Sequence, residues 1–113
     1  MSDSGASAAG RLEVNVSDLG PGHTRAVQAG GRKILVCNVG GEYFAIAERC
    51  SHAAFSLAEG RLTGFLLECP LHGARFDVRD GSPARRPAIK PLDTYPLTQV
   101  GAQVLIEVEV GAG

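Results

Sequence analysis

The chain has 113 residues, the length of one domain. Its 11 Lys and Arg stand against 12 Asp and Glu, a formal charge of −1, so the basic excess of a nucleic-acid binder is absent. Hydrophobic residues make up 44% of the chain and mean hydropathy is +0.05. That balance is globular rather than disordered, and no run reaches the roughly 18 apolar residues of a membrane-spanning helix.

Residues 1–10 are Ser, Ala, Gly and Asp after the initial Met, without the basic start and apolar centre of a secretory leader. They predict a disordered tail, with a single domain over 11–113. Leu12-Glu13-Val14-Asn15-Val16 alternates with the period of a half-buried strand. Asp18-Leu19-Gly20-Pro21-Gly22 is a turn cluster, followed by a short strand at Thr24 to Gln28. Lys33 to Val39 and Tyr43 to Ala47 are β-rich runs split by Gly40-Gly41, the pattern of a hairpin. Further strands are predicted at Leu66 to Glu68, Arg75 to Val78, Thr94 to Thr98 and Gln103 to Val110. Pro83, Pro87, Pro91 and Pro96 make residues 83–96 an extended, stiff stretch. No segment carries a sustained helical period, so the fold class is all-β, built from hairpins.

With only six aromatic residues and no Trp, the core is poor in large side chains, and small domains of this kind use a staple. Three Cys and three His, with no export signal, point to a metal rather than to disulfides. Cys50-Ser51-His52 and Cys69-Pro70-Leu71-His72-Gly73 are separated by 16 residues. Each motif clasps one centre from a loop, and together they offer two thiolates and two imidazoles. That set suits a tetrahedral zinc ion, and it also suits a two-iron cluster with both Cys on one iron and both His on the other. Zinc sites usually pair like with like, whereas each clasp here mixes one Cys with one His.

This pattern resembles the Rieske iron–sulfur family. The likeness extends to Gly41-Glu42-Tyr43-Phe44-Ala45-Ile46 before the first motif and Ser56-Leu57-Ala58-Glu59-Gly60 after it. It continues through Arg75-Phe76-Asp77, Gly81, Pro91-Leu92 and Tyr95-Pro96-Leu97. Within the family, the chain is similar to the ferredoxins of bacterial aromatic-ring-hydroxylating dioxygenases. The resemblance implies a Rieske domain of stacked antiparallel sheets with two cluster-binding loops. It implies one [2Fe-2S] cluster held by Cys50, His52, Cys69 and His72, the two Cys on one iron and the two His on the other. The implied role is that of a one-electron carrier and not an enzyme, a cytoplasmic monomer. Its partners would be an NADH-oxidising flavoprotein ferredoxin reductase and a terminal oxygenase, with neither nucleic acid nor membrane involved. The similarly sized small subunit of an NADH-dependent nitrite reductase and a zinc-stabilised interaction module are the competing readings.

Respiratory members of the family add a Cys to each loop, where this chain has Phe55 and Leu71, so their bridge is impossible here. They also carry Ser and Tyr donors to the cluster where this chain has Ala74 and Phe76. Without those hydrogen bonds the potential is expected toward the low end of the Rieske range, about −150 mV. The first loop reads Ala53-Ala54-Phe55, where many relatives carry a Gly, and Phe55 and Leu71 would form an apolar rim that a partner meets. His23 in its Gly-Pro-Gly-His turn is expected to be solvent-exposed. Cys37, inside an apolar run, should behave as a small buried hydrophobe, and Arg85-Arg86 as a solvated basic spot.

Overall fold

The computed structural model describes residues 9–29, 31–49, 56–70, 74–85 and 91–109. Eleven strands lie among the described residues: β1 Ala9–Asn15, β2 Thr24–Ala29, β3 Arg32–Val39, β4 Glu42–Ala47, β5 Arg61–Thr63, β6 Leu66–Glu68, β7 Arg75–Asp77, β8 Pro83–Arg85, β9 Thr94–Tyr95, β10 Leu97–Val100 and β11 Gln103–Glu109. A 3-10 turn, Leu57–Glu59, is the sole helical element among them, and no helix is long and apolar enough to cross a membrane. The strands form three antiparallel sheets, ordered β9-β4-β3-β2, β10-β11-β1 and β5-β6-β7-β8. The expected all-β architecture of stacked antiparallel sheets is therefore present.

The β4-β3 pair is the middle layer. Ile34, Val36 and Ala45 pack on one side with Val14, Val16, Leu19, Val104, Ile106 and Val108. Leu35, Cys37 and Ile46 pack on the other with Leu57, Leu67, Cys69, Phe76 and Leu92. Both faces are covered, which is why Ile34 to Val39 is a near-continuous apolar run rather than an alternating one. By contrast, β1 covers one layer and alternates, with Val14 buried between exposed Glu13 and Asn15.

Gly40 and Gly41 take φ of +60° and +96°. Both central residues of a two-residue hairpin of this twist need positive φ, so Gly-Gly closes β3 onto β4 as expected. Asn38, 2% exposed, is the one buried polar residue of the described core. Its side chain donates to Leu19 O at 2.7 Å and accepts from Gly41 N at 2.8 Å. It thereby ties the Asp18–Gly22 turn to the hairpin, its amide nitrogen and oxygen each hydrogen-bonded.

Three expectations need correction. First, β1 begins at Ala9, inside the expected tail, because Ala9 and Gly10 pair with Glu109 and Val108. Second, Thr94 to Thr98 is two strands rather than one. Thr94–Tyr95 pairs with β4, whereas Leu97–Val100 pairs with β11 in another sheet. Pro96 between them has no N–H for either ladder, and its carbonyl accepts from Glu107 N at 2.9 Å, turning the chain from one layer to the next. Third, Arg61–Thr63 and Pro83–Arg85 are strands not foreseen, both short and supported mainly by their neighbours. Residue 110, the expected end of the last strand, lies outside the described residues, as do 1–8 and Arg86.

Candidate metal centre

The described residues that flank both motifs are joined by hydrogen bonds. At the first base, Glu48 N donates to Lys33 O at 3.0 Å, Arg49 bridges Ser56, and Leu57 N donates to Glu48 O at 2.7 Å. The chain thus leaves the middle sheet at Arg49 and returns at Ser56. The hydroxyl of Ser56 donates to Glu48 Oε2 at 2.5 Å and accepts from Ala58 N at 3.1 Å, capping the 3-10 turn. Glu48 and Ser56 therefore hold the two ends of the loop together. Sequence reasoning missed this link, although a Ser opening a short turn is a capping signal.

At the second base, Cys69 N donates to Ala74 O at 2.6 Å, one step beyond the Glu68–Arg75 pair that ends the β6-β7 ladder. Alternation along the two strands turns Leu67, Cys69, Ala74, Phe76 and Val78 inward, each at most 1% exposed. Leu57 joins them in the same buried cluster. The exit of the first loop and both sides of the second thus share one core.

Gly60 brings them closer still. A Cβ there would run into the carbonyl oxygen of Glu68 and stand 3.1 Å from that of Leu57. Only a glycine lets the segment after the first loop lie against the residue that precedes Cys69.

Of the four predicted ligands, Cys69 is placed at the buried base of its loop. Cys50, His52 and His72 lie outside the described residues, as do the rim residues Phe55 and Leu71. His23 is exposed. Cys37 is fully buried on β3, and desolvation pushes its thiol up to about 12, so it is protonated and inert, as a packing residue should be. Asp77 is held below the usual carboxylate range by the Arg79 guanidinium, 2.7 Å away, and Arg79 also lies 4.1 Å from the ring centroid of Phe65. That cluster stands at the end of the β6-β7 ladder opposite Cys69 and plays no part in the centre.

A family model of the Rieske [2Fe-2S] domain matches residues 12–96. The chain belongs to this family. The chain is 46% identical over 94 residues to the ferredoxin component of biphenyl 2,3-dioxygenase from Rhodococcus jostii (strain RHA1), covering 83% of this chain and 88% of that one. Among solved structures, it resembles a chain from the complex of reduced oxygenase and oxidized ferredoxin in carbazole 1,9a-dioxygenase. That match has a TM-score of 0.80 and 36% identity, covering 84% of this chain and 99% of the other. A chain described as a nitrite reductase small subunit shares the fold at a TM-score of 0.75 over 85% of this chain and 96% of its own, but at 16% identity.

The cofactor of this Rieske domain is a [2Fe-2S] cluster, and the residues present fit it. The donor set of two thiols and two imidazoles is the mixed set that a Rieske centre takes. Cys69 is fully shielded from water, and the two loop bases are pinned to one core. Ala74 and Phe76 stand in the same core, fully buried, and neither side chain has a proton to donate.

Proposed function

We propose that this Rieske protein is a one-electron carrier in an aromatic-ring-hydroxylating dioxygenase system. In this reading Cys50 and Cys69 hold one iron, and His52 and His72 hold the other. When bound, the cluster supplies a couple that gains and loses a single electron. The chain's own residues do the rest. The Glu48–Ser56 link and the Cys69–Ala74 turn fix the loops, while Leu57, Leu67 and Phe76 keep water from the buried side. The observation that carries the reading is the fully buried Cys69 at the closed base of its loop, in a chain with close ferredoxin relatives.

The acceptor in this proposal is a terminal oxygenase. The donor is a flavoprotein reductase oxidising NADH, since a flavin can take two electrons from NADH and release them one at a time. A cytoplasmic monomer suits a shuttle that meets both through small, transient interfaces.

An EPR-monitored redox titration of anaerobically purified protein tests this. A rhombic [2Fe-2S] signal is expected on reduction, with a midpoint near the low end of the Rieske range, about −150 mV. Phe76→Tyr supplies the absent donor and should raise that midpoint by about 60 mV, since 59 mV is a tenfold change for one electron and a hydrogen bond to a charged group reaches this size. A high midpoint in the unmodified protein would overturn the argument from Ala74 and Phe76. A colourless protein holding zinc, and refusing iron–sulfur reconstitution, would overturn the carrier itself.

A further inference from the structure

The flanks of the two motifs are joined by different means. Those of the second are joined by backbone alone, Cys69 N donating to Ala74 O at 2.6 Å directly beyond the β6-β7 ladder. That closure survives most changes of side chain. The flanks of the first motif stand further apart in sequence, and Arg49 and Ser56 share only an isolated bridge. There the chain adds a link between side chains. The Ser56 hydroxyl donates to Glu48 Oε2 at 2.5 Å, the short end for a hydroxyl on a carboxylate. The same oxygen accepts from Ala58 N at 3.1 Å.

Glu48 is not an ordinary surface carboxylate. It is half-buried, whereas Arg49 beside it is exposed, and it makes no ion pair among the described residues. Withdrawing a carboxylate from water without a cation is costly, so stability alone is a poor reason for its place. Its backbone is also committed here. The N–H donates to Lys33 O at 3.0 Å, and the carbonyl accepts from Leu57 N at 2.7 Å. One residue thus grips β3 through its amide, the returning chain through its carbonyl, and the start of the 3-10 turn through its side chain. Leu57 of that turn is fully buried in the cluster of side chains that contains Cys69.

We infer that Glu48 is a positioning residue for the metal centre, acting through the Ser56 hydroxyl, and that this clasp governs how firmly the cluster is retained. The inference rests on the cluster-holding role proposed above for Cys50, His52, Cys69 and His72. Flanks tied together by the protein itself lower the ordering cost of holding the cluster, and so slow its loss.

The test is loss of the cluster's visible absorbance in excess EDTA. Ser56→Ala and Glu48→Ala should each speed it about tenfold, the size of one hydrogen bond to a charged group. Ser56→Ala also removes the cap of the 3-10 turn, so the double variant is decisive. With the clasp as the cause, Glu48→Ala combined with Ser56→Ala is no faster than Ser56→Ala alone, whereas independent effects multiply to about a hundredfold. Ser56→Thr keeps the hydroxyl and should restore the unmodified rate. Glu48→Gln keeps an accepting oxygen without the charge and should fall between. Both alanine variants should broaden the EPR lines. Val14→Ala, in the other core layer, costs stability away from both motifs and should leave them unchanged. Multiplying effects in the double variant, or no rescue by Ser56→Thr, overturns the clasp. A protein without any cluster signal overturns the carrier reading instead. Amide exchange then decides the clasp: Glu48→Ala should speed exchange at Ala58, whose N–H the Ser56 hydroxyl holds, and unchanged exchange there overturns it.

Discussion

His72→Ala is expected to abolish the rhombic EPR signal and to lower the melting temperature by about 10 °C or more. The reasoning starts from the small core. A domain of this length is stable by only about 5–15 kcal/mol, and a bound metal centre contributes its binding energy to folding. Removing one imidazole would take away one of the four side chains proposed to hold the cluster. His52→Ala should behave alike. Two controls separate ligand loss from general damage. His23→Ala changes an exposed turn residue, and Cys37→Ala changes a buried, protonated thiol, so both should keep the spectrum. If His72→Ala proves too unstable to purify, His72→Cys retains a ligand. It adds negative charge to the site, so its midpoint should fall and its spectrum should move toward that of an all-Cys cluster. An unchanged spectrum in either His72 variant would remove His72 from the ligand set.

Gly60→Ala should destabilise the domain by about 3 kcal/mol, the upper end of what forced overpacking usually costs. The backbone at Gly60 is extended, with φ of −83°, so no conformational strain is involved. The cost is steric, because a Cβ would meet the Glu68 carbonyl, which is backbone and has little room to retreat. That collision pushes the exit of the first loop away from the strand entering Cys69. Cluster content per chain is therefore expected to fall together with the melting temperature, and the EPR lines of the remaining fraction should broaden. Ala58→Gly provides the comparison, since it changes a residue of the same turn without adding an atom. Equal cluster content in the Gly60→Ala and unmodified proteins would show that the two loops are not coupled through this contact.

The fold was legible in the sequence where one local rule decided it. Alternation in Leu12 to Val16 gave a half-buried strand, and Gly40-Gly41 gave a hairpin, because only glycine takes positive φ at both positions without cost. The short strands at Arg61–Thr63 and Pro83–Arg85 left no such mark, since three residues are too few to show a period, although each pairs with its neighbour in sequence. The split at Pro96 was half legible. Proline announces a break, but only the packing of two sheets says that the chain changes layer there.

The chemistry divides in the same way. Ligand type and spacing in Cys50-Ser51-His52 and Cys69-Pro70-Leu71-His72 narrowed the centre to zinc or a two-iron cluster, and the mixed clasps with their flanks, resembling the Rieske family, favoured the cluster. The absence of donors at Ala74 and Phe76 was likewise written in the residue types. Two things only the tertiary structure decided: that Glu48 and Ser56 tie off the first loop, and that Gly60 lies against Glu68. Each joins residues eight positions apart, through a side-chain hydrogen bond or a close approach that no one segment sets alone.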